Sequence, residues 1–181
     1  MRHALLLLAL ACTASAQTLR NASFEEPAHE EDRAYGWERW GHWLNRECAW
    51  SPVRDGTCII GYHHWRIEAA ETSGLYQDVP VRLGARYAFS VQASLDPAQP
   101  GSLDPEAVEV RLETTLEGQQ VTVQSRTFKA RDLARGEAWS ALKVTGVAPN
   151  ETLRVLLIVH PAAGGPRGGA LRFDAARLAA E

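Results

Sequence analysis

The sequence has no long apolar run, few cysteines, almost no lysine and no block of like charge, and three of these four shortages exclude a class of protein. The greasiest stretch, Ala4 to Ala11, falls far short of the roughly 20 residues that a membrane-spanning helix needs, and no later segment comes close. Two of the three cysteines, Cys48 and Cys58, lie in the body of the chain, too few for a structural zinc site. Nineteen basic residues are interspersed among 22 acidic ones for a net charge of −3, so no basic stripe offers itself to nucleic acid or to an anionic membrane. Only Lys129 and Lys143 are lysines, which carries no functional conclusion. Helical periodicity is also missing. Asp132–Ala138 could make a single turn, but Gly136 weakens it and the segment is short.

The sequence also lacks the usual catalytic patterns. There is no G-x-S-x-G elbow for a nucleophile. The one close histidine pair, His63-His64, would point to opposite faces of a strand and cannot share a metal. Glu109 and Glu113 could serve as the carboxylate pair of a glycoside hydrolase, but Arg111 stands between them on the same strand face, where a salt-bridged polar surface is the simpler reading.

What is present begins with Met1-Arg2-His3, the short apolar block and Ala14-Ser15-Ala16, a charged start, greasy core and small-residue cleavage site that read as a secretory leader over residues 1–16. The competing reading makes Cys12 the lipid-bearing first residue of a lipoprotein. Residues 17–181 are expected to form one domain, exported to the periplasm or beyond the cell. In such an oxidising compartment Cys48 and Cys58 are expected to pair, the alternative being two buried thiols. Asn21 and Asn150 each open an N-x-S/T acceptor site.

From about Thr57 onward, short segments with a period of two alternate with turn residues, the pattern of half-buried antiparallel strands. Tyr87, Phe89, Val91 and Ala93 share one face, with Ser90 and Gln92 on the other. Val108, Val110 and Leu112 alternate with Glu109, Arg111 and Glu113. Further strands are expected over Gly74–Val79, Val121–Phe128, Trp139–Val144, Leu153–His160 and Ala170–Leu178. Such sheets must bury their apolar faces against each other, which predicts an all-β, two-sheet antiparallel sandwich of Greek-key or jelly-roll type.

Five of the six tryptophans, Trp37, Trp40, Trp43, Trp50 and Trp65, crowd one window together with Tyr35, Tyr62, His42, His63 and His64. Indole and phenol rings stack on the C–H faces of sugars while polar neighbours bond the hydroxyls, so the window is a candidate glycan site, with core packing as the alternative. At least one of Trp37 and Trp40 is expected in the core. Trp50, Trp65 and Tyr62 are the stacking candidates, and Gln77, Gln92, Glu109 and Arg111 the hydrogen-bonding ones, with Arg154 and His160 joining the polar face by alternation.

The opening Leu19-Arg20-Asn21-Ala22-Ser23-Phe24-Glu25, the stretch Gly74–Val81, the strand Arg86–Ser94, Trp139-Ser140 leading to Val144–Asn150, and Leu171–Leu178 occur in an order that resembles the galactose-binding-like jelly-roll carbohydrate-binding modules attached to endoglucanases and xylanases. The resemblance runs over nearly the whole mature chain. It implies a non-catalytic, carbohydrate-binding role, with a sugar cleft on the concave sheet or at the edge loops, and a structural calcium held by an acid from each end of the domain, here Glu25 and Asp174. Ala22 and Ala175 depart from the residues common in that family, and the alternative is that both acids bond locally to loop amides.

Overall fold

The computed structural model describes residues 19–41, 44–63, 72–96, 105–161 and 170–181. The expected leader, Trp43 and Trp65 lie outside them. Ten strands follow in chain order: β1 (Glu38–Trp40), β2 (Leu44–Glu47), β3 (Ile59–Tyr62), β4 (Ser73–Pro80), β5 (Arg86–Asp96), β6 (Pro105–Leu116), β7 (Gln119–Lys129), β8 (Ser140–Val147), β9 (Thr152–Pro161) and β10 (Ala170–Ala180). They form two five-stranded antiparallel sheets, the first in the order β1-β4-β9-β6-β7 and the second β2-β3-β10-β5-β8. This is the expected all-β sandwich.

One shared core joins the sheets. Val108, Val110 and Leu112 of β6 and Leu153, Val155, Leu157 and Val159 of β9 face Phe89, Val91 and Ala93 of β5, Ile60 of β3, and Phe173 and Leu178 of β10. Both alternations read from the sequence therefore turn the expected side inward. The β6–β7 hairpin closes through Glu117 and Gly118, whose φ values of 50° and 79° give the doubly left-handed turn that matches strand twist. The turn expected over Asp132–Ala138 forms earlier and shorter, as a 3-10 turn at Ala130–Asp132. Arg135 instead bridges to Leu95.

The Trp-rich window carries three short strands that the alternation did not reveal, because three or four residues are too few to show a period. Between β2 and β3, Cys48 and Cys58 form a disulfide. The enclosed loop is clasped from both ends of the domain. Glu25 accepts hydrogen bonds from the Thr57 and Cys58 amides and the Thr57 hydroxyl, and Asp174 accepts from the Arg54 and Asp55 amides.

Candidate functional site

The register of the first sheet decides which side chains point away from the core. Pairing of β1 with β4, β4 with β9, and β9 with β6 sets Trp40 opposite Gly74, Glu38 opposite Tyr76 and Asp78 opposite Arg154, and carries the same face through Leu156, Ile158 and His160 to Glu109, Arg111 and Glu113. Leu156 and Ile158 are only 5% and 3% exposed although they lie on the side away from the core, so they form an apolar floor covered by the side chains around them. Gly74 is required here, since a Cβ would collide with the Trp40 ring that lies over it. The indole is thereby laid against the sheet, 6.1 Å from the Tyr76 ring at an interplanar angle of 43°.

Charged groups line the rest of this face in a connected row. Arg154 bonds Asp78 through two contacts of 2.7 Å and sets its guanidinium carbon 4.1 Å from the Tyr76 ring centre. Arg111 donates from Nε to Glu109 at 2.6 Å and from Nη1 to Glu113 at 2.8 Å. The second Glu109 oxygen meets His160 Nε2 at 3.1 Å. Burial would raise the Glu109 carboxyl, but the bonds from Arg111 and His160 outweigh it and hold the group below its ordinary range. The hydrogen bond to Glu109, reinforced by Glu113, pushes the Arg111 guanidinium further above its already high value. Asp78 does the same for Arg154. The face thus presents ionised, pre-positioned acceptors beside aromatic rings, a combination that takes hydroxyls and C–H surfaces together.

Glu109 and Arg111 are in this face as expected, and Arg154 and His160 join it. Four other candidates do not fall there. Tyr62 is fully buried in the core, because its position in β3 pairs with inward-facing Leu171. Gln77 shares the inward parity of Leu75 and Val79, and its amide is consumed by the backbone of Arg20 and by the Gly36 carbonyl. Gln92 lies opposite Asp174 on the second sheet. Trp50, in the loop between β2 and β3, lies over that second sheet, where its indole N–H bonds Asp96 at 3.0 Å and its ring packs 4.2 Å from His63. Trp40, Tyr76 and Asp78 were missed as contacts, although the alternation through Leu75, Gln77 and Val79 sends Tyr76 and Asp78 outward.

Calcium does not fit the two acids as they stand. Every Glu25 and Asp174 carboxylate oxygen accepts a bond from an N–H or O–H, and those donors present positive ends where a cation would need oxygens. Arg46 supplies a positive charge instead, bonding the Phe24 and Glu25 carbonyls and the Cys58 sulfur. Burial raises the Asp174 carboxyl, against the pull of its three amide bonds. Among the described residues no group of three or more histidine, cysteine or acidic side chains gathers as a metal site.

No protein-family model matches this chain, and no curated protein does. Solved structures do. TmCBM61 in complex with β-1,4-galactotriose superposes with a TM-score of 0.63 at 14% identity, over 92% of this chain and 100% of that one. This chain has the fold of carbohydrate-binding modules. The CBM22-1 xylan-binding domain of Paenibacillus barcinonensis Xyn10C gives 0.55 at 16% identity, over 93% and 97%. An apo-form cyclase from Fischerella sp. gives 0.62 at 17%, over 94% and 98%. The jelly roll is therefore shared with binding modules and with at least one enzyme, and function has to be argued from the site.

Proposed function

We propose that this chain is a secreted, non-catalytic carbohydrate-binding module that holds a glycan chain across the outer face of its first sheet. The observation that carries this reading is the Trp40–Tyr76 pair set beside the Asp78–Arg154 and Glu109–Arg111–Glu113 groups on one face with an apolar floor. Five strands about 4.8 Å apart give a row roughly 19 Å across, room for several sugar rings. Trp40 and Tyr76 supply stacking at one end, and the carboxylates accept hydroxyls along the rest. Binding of β-1,4-galactotriose by one structural neighbour and of xylan by another supports a polysaccharide ligand.

The state of the acids favours binding over hydrolysis. A glycosidase needs one carboxyl kept protonated as the acid, whereas Glu109 is held ionised and Glu113 is bonded to the same guanidinium. The disulfide supports an oxidising compartment.

Affinity electrophoresis of residues 17–181 through gels containing galactans, xylans and glucans tests the reading. Retardation by one polymer class, with Trp40→Ala and Tyr76→Ala each weakening it by about 1–3 kcal/mol in folded protein, is the expected result. A folded wild type retarded by no polymer would turn the reading to a structural or adhesion module that binds protein. Retardation unchanged by both substitutions would move the sugar elsewhere on the sandwich.

A further inference from the structure

Among the described residues, the outer face of the first sheet carries four carboxylates, those of Glu38, Asp78, Glu109 and Glu113, against the permanent cations of Arg111, Arg154 and Lys129. Both arginines are already spoken for. Arg154 is matched atom for atom by Asp78, and Arg111, on β6 one strand in from the edge of the sheet, is flanked by a glutamate two residues away on either side and bonded to both. One guanidinium facing two carboxylates leaves a local excess of negative charge, tempered by His160 beside Glu109 and by Arg154 opposite Glu113. A single glutamate would neutralise Arg111, so the second glutamate has a consequence for the ligand.

We propose that Glu109 and Glu113 mask Arg111 and make this face a charge filter, admitting uncharged glycan chains and turning away uronate chains. The inference rests on the reading of the face as a glycan site and names the ligand class it takes. A neutral sugar offers hydroxyls, which donate to the two carboxylates without disturbing Arg111. A uronate offers a carboxylate, which must either displace a glutamate from Arg111 or lie against two like charges. Arg111 is a positioning residue here, since its Nε and Nη1 donors fix the two glutamates in place.

Removing the mask should reverse the preference. In Glu109→Gln/Glu113→Gln the Arg111 guanidinium loses its charged partners and becomes a carboxylate receptor, so retardation by polygalacturonate or alginate should rise by about tenfold, the worth of one charge-assisted bond. The same substitutions with Arg111→Met added should abolish the gain, which assigns it to that guanidinium rather than to reduced net charge. Glu113→Gln alone, which leaves Glu109 both its partners, should give a smaller gain and provides a second reading that does not depend on the double variant folding. Wild type retarded by uronate polymers and released by Arg111→Met would overturn the proposal, as would folded double and single variants that gain no uronate binding. Retention of neutral polymers by the wild type tests the underlying glycan reading separately, because the gain expected of the variants needs only Arg111 to be accessible.

Discussion

The outer faces of the two sheets each place an arginine near aromatic rings, and put it to opposite use. On the first sheet Arg111 is 28% exposed and held by two carboxylates. On the second, Arg172 is 1% exposed, flanked by Trp50 and Trp139 at 5.6 and 5.8 Å, and bonded to the Ser94 hydroxyl and the Gly136 carbonyl. Burial pulls the Arg172 guanidinium below its ordinary value, the reverse of the shift at Arg111. The covering of Arg172 is the disulfide loop, whose Trp50 can lie close because a Cβ at Gly61 would come within 2.8 Å of it. One face has been spent on holding loops to the sandwich, and the other has been kept open with its arginines already paired.

The largest expected effect breaks that comparison at its buried member. Arg172→Ala removes a filled volume, both cation–π contacts and the bonds to Ser94 and Gly136, and should cost about 3 kcal/mol in urea unfolding. Arg111→Ala leaves the buried Glu109 and Glu113 carboxylates without their shared partner but open to water on one side, and should cost less, about 1–2 kcal/mol. Equal losses would mean that the first face is as structural as the second. Next in size is the covering loop. Cys48→Ser/Cys58→Ser should lower stability by roughly 2–3 kcal/mol in the chain-entropy model, and should leave polysaccharide retardation unchanged, since Trp50 does not reach the first sheet.

A smaller effect is written in pH. Glu109 and Glu25 both titrate below their ordinary value of 4.5. A depressed carboxyl gives stability that is complete above the unfolded value and is lost as pH falls through the folded one. Thermal unfolding should therefore show the advantage of wild type over Glu109→Gln at neutral pH shrinking below about pH 4.5. Asp174 acts in the opposite sense, because its raised value favours the protonated form in the fold and adds stability as pH falls through it. An advantage for Glu109 that persists unchanged into acid would show that its bonds to Arg111 and His160 are not made in solution.

How much of this was legible follows from strand periodicity. Long strands such as β5 and β6 declare their faces, so the core and the Glu109–Arg111–Glu113 row could be read directly. Gln77 obeys the same parity as Leu75 and Val79 and should have been placed inward by it, but its polarity argued the other way. Tyr62 and Trp50 lie in or beside strands of four residues, where no period exists and only pairing with β10 decides the face. The allocation of strands to sheets is non-local, which is why Gln92 and Glu109, both outward, could be taken for neighbours when they lie on opposite sides of the sandwich.

The smallest expected effect concerns calcium, and it separates the clasp at the domain ends from the open face. A bound calcium that holds the ends together would be removed by a chelator, with a fall in melting temperature, because a ligand that binds only the folded state stabilises it by mass action. Here the ends are held by Arg46 and by amide donors to Glu25 and Asp174. Excess EDTA should leave the melting temperature of residues 17–181 unchanged, whereas Arg46→Met should lower it by freeing the Phe24 and Glu25 carbonyls. A fall with EDTA, restored by added calcium, would show that the loop opens its amides away from the two acids in solution and that a cation replaces them.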